Sequence, residues 1–237
     1  MAFWKKKKPL RKSVLPSRGS GSPASKVDVG DLAPSAADYL AGATSLQATL
    51  ASLLTRCANE AWSSVDSHDV FGAAAVAMDR YRSFHDLLAD YVDDVPAALA
   101  PGREKLAAHM ARFHSERWYE NVTTSYVLTG FTRDFWHLLA EGLPHTLSTR
   151  VQEIVADRGD EDVMAEVIGR LLASDERYRS RVSLWSRRLV GDVMLMCRDA
   201  LSPEVLASQE TEAPLEPVFT EVLAQHTRRL DRLGLTA

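Results

Sequence analysis

Few residues in this chain combine the types and spacings that chemistry needs. Asp134 and His137 stand three apart with Glu141 a further turn on, so one helix would carry all three on one face. This is the only Asp-x-x-His in the chain, and no Glu-x-x-His occurs. A metal held there would need ligands from other helices, and a solvated polar face explains the spacing better. His109, His114, Glu116 and Glu120 share one region, where Glu120 falls on an inward helical register and is the best-placed carboxylate. Gln47 is the polar intruder on another apolar stripe, and a buried amide needs hydrogen-bond partners. Cys57 and Cys197 are far apart, lie on apolar stripes and fit no metal-ligand spacing. They read as buried, reduced thiols, a usage that fits the cytoplasm. Nucleophile elbows, P-loops, dinucleotide fingerprints and zincin pairs are absent from the sequence.

The elements that must position these residues are all helical. Pro34 and Ser35 open a first helix with an inward stripe of Leu40, Ala43, Gln47, Leu50, Leu54 and Cys57. A second begins near Asp66 and ends before Pro96. Its stripe of Val70, Ala74, Ala77, Tyr81, Phe84, Leu88 and Tyr91 contains no carboxylate or histidine. Pro101 and Gly102 punctuate the connection to a long region, Arg103 to Glu141, expected as one helix or as two joined by a kink near Gly130. After Pro144 comes a helix with Leu147, Val151, Ile154 and Val155. The acidic stretch from Asp157 to Asp162 then reads as a break and a fresh helix N-terminus. Asp175 caps the strongest pattern: Tyr178, Val182, Trp185, Leu189, Val193, Met196 and Ala200. Beyond the Pro214 to Pro217 stretch, Val218, Val222, Gln225, Arg229 and Leu233 form a last stripe, stopped by Gly234. No alternating β-branched run competes, so the fold expected is an all-α antiparallel bundle with additional helices.

Charge divides the chain. Eight basic residues precede the first acid, Asp28, leaving residues 27–237 with a formal charge of −12. An acidic body disfavours a broad nucleic-acid footprint. Residues 1–33 are expected to be a disordered basic tail and linker, and 34–237 one helical domain. The tail carries Phe3, Trp4, Lys5, Lys6, Lys7, Lys8, Arg11 and Lys12, without the apolar run of a signal peptide. It suits a solubilising segment, an anionic membrane surface or RNA. No stretch reads as a membrane span, so the expected location is the cytoplasm, with attachment at the membrane periphery as the variant.

Two late segments carry a family resemblance: Ser183-Leu184-Trp185-Ser186-Arg187-Arg188-Leu189-Val190-Gly191-Asp192, and Gln225 to Leu235 with its His226-Thr227-Arg228-Arg229-Leu230 core. There, and more loosely over Ala36 to Ala237, including Trp118-Tyr119-Glu120, the chain resembles the ferritin-like fold-containing proteins of actinobacteria. These are grouped by similarity with the bacterial tRNA hydroxylase that modifies 2-methylthio-isopentenyladenosine. The resemblance implies a ferritin-like four-helix core and, in intact members, a di-iron site that activates oxygen. It places the family's first-helix glutamate on Gln47, its second-helix Glu-x-x-His on Tyr81 and Phe84, and a further glutamate on Glu120. An aspartate falls on Thr129, and the fourth-helix acid-x-x-His on Asp157 and Asp160.

Glu120 and Asp157 alone keep an acid at a family acid position, where a di-iron centre draws on about six side chains. The expectation is therefore a degenerate centre without a cofactor, in which Tyr81 and Phe84 fill the former cavity and Gln47 and Glu120 are hydrogen-bonded nearby. Such a bundle would serve as an interaction or scaffold protein for an unidentified protein partner, and a homodimer is compatible with it. The alternative is a di-iron oxygenase hydroxylating a modified tRNA base, using Glu120, Asp157 and Asp160, with the basic tail holding RNA.

Overall fold

A computed structural model of the chain describes residues 32–201 and 212–236. Phe3, Trp4, Lys5, Lys6, Lys7, Lys8, Arg11 and Lys12 lie outside the described residues. Among those described there are eight helices: α1 (Ala36–Asn59), α2 (Ser64–Ala89), α3 (Val95–Phe113), α4 (Trp118–Ala140), α5 (His145–Ala156), α6 (Gly159–Ser174), α7 (Arg177–Asp199) and α8 (Glu212–Arg232). The described residues contain no strand.

Local chemistry starts these helices. Ser35 accepts the Asp38 N–H at 3.2 Å, and Ser63 accepts the Asp66 N–H at 3.1 Å, each satisfying a first-turn donor. Ser63, not Asp66, is thus the cap of α2, and its hydroxyl donates to the Asp66 carboxylate at 2.8 Å. At the other end of the chain, Gly234 stops α8 with φ at +66°, a backbone region that favours glycine.

Four helices close a ring: α1 packs on α2, α2 on α6, α6 on α4, and α4 back on α1. The remaining four clad this core, with α3 on α1, α5 against α2 and α4, and both α7 and α8 on α4. Helix α4 is therefore enclosed nearly all round, and 20 of its 23 residues are buried. Four of its hydroxyls are satisfied within the helix: Thr123, Thr124, Ser125 and Thr132 each donate to the carbonyl one turn earlier, at 2.6 to 2.9 Å. The interior stripe of α1, Gln47 included, is buried as expected. Leu32, within the expected linker, is also buried and joins the core.

Several expectations are corrected. The long third region is two helices, broken at 114–117 and with the second running on without a break through Gly130. The break is stabilised by Asn121, whose side chain accepts the Ser115 N–H and donates to the Ser115 carbonyl. Pro96 lies in the first turn of α3, where a missing N–H costs nothing, and Pro101 lies inside that helix. Helix α8 already begins at Glu212 and runs through Pro217. Helix α2 ends at Ala89, so Tyr91 lies beyond it and is exposed; on the helix Tyr81 is only half-buried, while the inward set is Val70, Ala73, Ala74, Ala77, Arg80, Phe84, Leu87 and Leu88. None of the described helices is long and apolar enough to cross a membrane.

Candidate functional site

The centre of the four-helix ring is built around arginines. Arg80 on α2 is 5 % exposed and Asp160 on α6 is fully buried. The guanidinium grips the carboxylate with two bonds, Nη1 to Oδ2 at 2.5 Å and Nη2 to Oδ1 at 2.8 Å. Nη2 also donates to the Asp157 carbonyl. Such a bidentate pair fixes direction as well as charge. Asp160 takes a further N–H from Glu161, at 3.0 Å, because both lie in the first turn of α6, where acids meet free backbone donors.

A second row extends the pairing. Arg133 on α4 pairs with Glu161 and, at 3.4 Å, with Asp134. Arg229 on α8 donates from Nη1 to Asp134 Oδ2 at 2.5 Å. The better-exposed Arg158 and Arg232 approach the other Glu161 oxygen at 3.8 and 4.0 Å. Arg229 lies flat against Gly130, where an added Cβ would sit 2.6 Å from Nε. The hydroxyl of Tyr126 donates to the Arg229 carbonyl at 3.4 Å, and its pKa is pushed up to about 12, chiefly by burial and then by the charge of Glu161. Beside Arg229, His226 is buried with no hydrogen-bond partner on either ring nitrogen. Burial first, and the Arg229 charge second, lower its pKa to about 4, so the ring is neutral at physiological pH.

At the heart of the ring, Gln47, Arg80, Phe84, Arg133 and Trp136 line a cavity of about 10 Å³, the size of one water molecule. The Gln47 side-chain oxygen, Arg80 Nε and Arg133 Nη1 have no partner. The donor set tests poorly against a di-iron group. Two guanidiniums and two aromatic side chains, Phe84 and Trp136, line the cavity, and the nearby carboxylates Asp160 and Glu161 are already paired. Among the described residues no group of three or more His, Cys, Asp or Glu is placed to hold a metal ion.

The residues singled out from the sequence scatter accordingly. Gln47 and Phe84 reach the centre, and Asp160 joins it through Arg80. Tyr81 does not: adjacent residues on a helix point about 100° apart, and Arg80 takes the inward direction. Tyr81 instead lines an outer groove between α1, α2 and α3. Asp157 is exposed, and its carboxylate accepts the Gly159 N–H at 2.8 Å, leaving only its backbone carbonyl at the centre. Thr129 is buried one turn before Arg133, its hydroxyl without a partner.

Glu120 is buried as expected but belongs elsewhere. Ser115, Tyr119 at 3.0 Å and Arg117 at 3.2 Å hold it. It sits 13 residues before Arg133 on α4, about 20 Å along the axis. Asp134, His137 and Glu141 line one surface cavity of about 420 Å³, but Asp134 is already paired with Arg133 and Arg229, while His137 and Glu141 are exposed. Cys57 and Cys197 are buried and free, and burial pushes the Cys57 thiol up to about 11.

Arg80, Arg133 and Glu161 were missed because charged residues on amphipathic helices ordinarily mark the solvent face. Arg229 alone gave a signal, lying on the apolar register of its helix.

Among curated proteins none matches the chain. The family described as ferritin-like domain, actinomycetes, matches residues 40–208. That span takes in most of α1 and all of α2 to α7, with Arg80, Arg133, Asp134, Asp160 and Glu161, while Arg229 lies beyond it. The chain therefore belongs to the ferritin-like domain family of actinomycetes.

Proposed function

We propose that this protein is a ferritin-like bundle with a degenerate centre, in which guanidinium groups stand in for the cations, and that it acts as an interaction or scaffold protein. The observation that carries this is the two-pronged bond from Arg80 to the fully buried Asp160. In a carboxylate-rich bundle a bound metal supplies the positive charge that lets buried acids remain ionised. Here the side chains supply it themselves: Arg80, Arg133 and Arg229 answer Asp160, Glu161 and Asp134. A divalent ion entering this centre would displace a guanidinium from its acid while meeting the charge of the next one.

The test is the metal content of untagged protein purified from iron-replete cells. Iron well below one atom per chain is expected, and two irons per chain would overturn the proposal. A di-iron oxygenase acting on a modified tRNA base would need Glu120, Asp157 and Asp160 to converge. Glu120 is about 20 Å from Arg133 along α4, and the exposed Asp157 carboxylate is engaged by the Gly159 N–H. Nucleoside analysis of a deletion strain should accordingly show an unchanged profile of modified tRNA bases. Loss of a hydroxylated base would restore the oxygenase.

A further inference from the structure

The face of α1 turned away from the ring forms the floor of a groove. Ser45, Ala48, Thr49 and Ser52 lie on one helical face, and Ser45 points about 200° around the axis from Gln47. Helices α2 and α3 wall the groove, which encloses about 610 Å³. From Ser45 to Arg56 it runs about 16 Å along α1. Its walls are apolar and adaptable: Met78, Leu53, Leu99 and Met110.

The charge of the groove opposes that of the body. Residues 27–237 carry a formal −12, yet no carboxylate lines the groove, while Arg56 and Arg103 do. Neither arginine has a salt-bridge partner among the described residues. Ser45 is 1 % exposed and its hydroxyl has no hydrogen-bond partner. It faces α3 at Gly102, where an added Cβ would stand 3.2 Å from the Ser45 oxygen, and Arg103, the next residue, lines the same groove. A buried donor without a partner, beside an unpaired guanidinium at the end of an apolar trough, is suited to an anionic headgroup.

We propose that this groove binds an amphipathic anion. The carboxylate or phosphate takes Arg103 and the Ser45 hydroxyl, and an unbranched alkyl chain lies along Met78, Leu53 and Met110 towards Arg56. Arg56 closes the far end, its aliphatic stem over the chain. The groove lies on the outer side of α1, so this assignment stands whether or not the centre of the ring holds metal.

Titration calorimetry of the full chain with dodecanoate and with dodecyl phosphate, each below its micelle concentration, tests it. Dodecyltrimethylammonium serves as the charge-reversed control. Saturable binding of one anion per chain is expected, and the better ligand distinguishes a fatty acid from a phosphate ester. Arg103→Ala should weaken binding about ten-fold, the loss of one charged hydrogen bond, and Arg56→Ala by less. Ala48→Trp, which fills the floor, should abolish binding. Arg103→Glu, an exposed change that leaves the fold alone, should reverse the preference towards the cation. Absence of saturable anion binding, equal affinity for the cation, or unaltered binding by folded Arg103→Ala would overturn the proposal.

Discussion

Replacing Arg80 by methionine removes one partner of a pair whose other member cannot reach water. Asp160 is fully buried and would lose both guanidinium bonds, keeping only the Glu161 N–H at 3.0 Å, while the Asp157 carbonyl would lose its donor as well. Leaving a buried charge uncompensated costs about 3 to 5 kcal/mol, a large share of the ~5 to 15 kcal/mol that stabilises a typical domain. Urea unfolding followed by far-ultraviolet circular dichroism should show that loss as a lowered midpoint. Arg80→Met combined with Asp160→Leu replaces the pair by apolar groups, which is often close to neutral. The double variant should therefore recover at least about 2 kcal/mol relative to Arg80→Met. Two results would refute the reasoning: an Arg80→Met protein within about 1 kcal/mol of the parent, or a double variant whose loss equals the sum of the singles.

Other outcomes follow from neighbouring residues. The folded pKa of His226, about 4, lies below its ordinary value of 6.5, so as pH falls through this window the unfolded chain takes up the proton first. Stability from this residue is complete above about pH 6.5 and declines by about 3 kcal/mol as pH falls to 4. His226→Phe should remove that slope and raise stability at neutral pH, because two unpartnered ring nitrogens disappear; an unchanged pH profile of unfolding would count against the burial. Gly130→Ala should destabilise despite the ~1 kcal/mol that alanine ordinarily gains in a helix, because its Cβ would strike Arg229, itself held by Asp134. Gly191→Ala, where nothing lies within 4 Å, should stabilise instead, and thermal melts of the two variants shifting in the same direction would contradict this contrast.

How much of the protein was legible beforehand depends on the range of the interaction concerned. Helix-period stripes are local, and they placed α1, α6 and α7, the Ser35 cap, the acidic first turn of α6 and the stop at Gly234. They also placed Gln47 and Glu120 inside, since a polar residue between apolar neighbours at steps of three and four is carried inward with them. The local pattern could not choose between Arg80 and Tyr81. Hydropathy assigns the tyrosine to the core and the arginine to water, and the reverse holds because Asp160, 80 residues later, meets the guanidinium in the interior. A buried charge is tolerable only beside its counter-charge, and that partner arrives by the packing of α6 on α2. The same applies to Arg133 with Glu161 and to Arg229 with Asp134, each joined across helices. Sequence alone thus determined that this chain is a helical bundle with few candidate metal ligands. Only the tertiary structure decided that arginines occupy its centre, because ion pairing depends on distance in space, while periodicity reports only direction around a single helix.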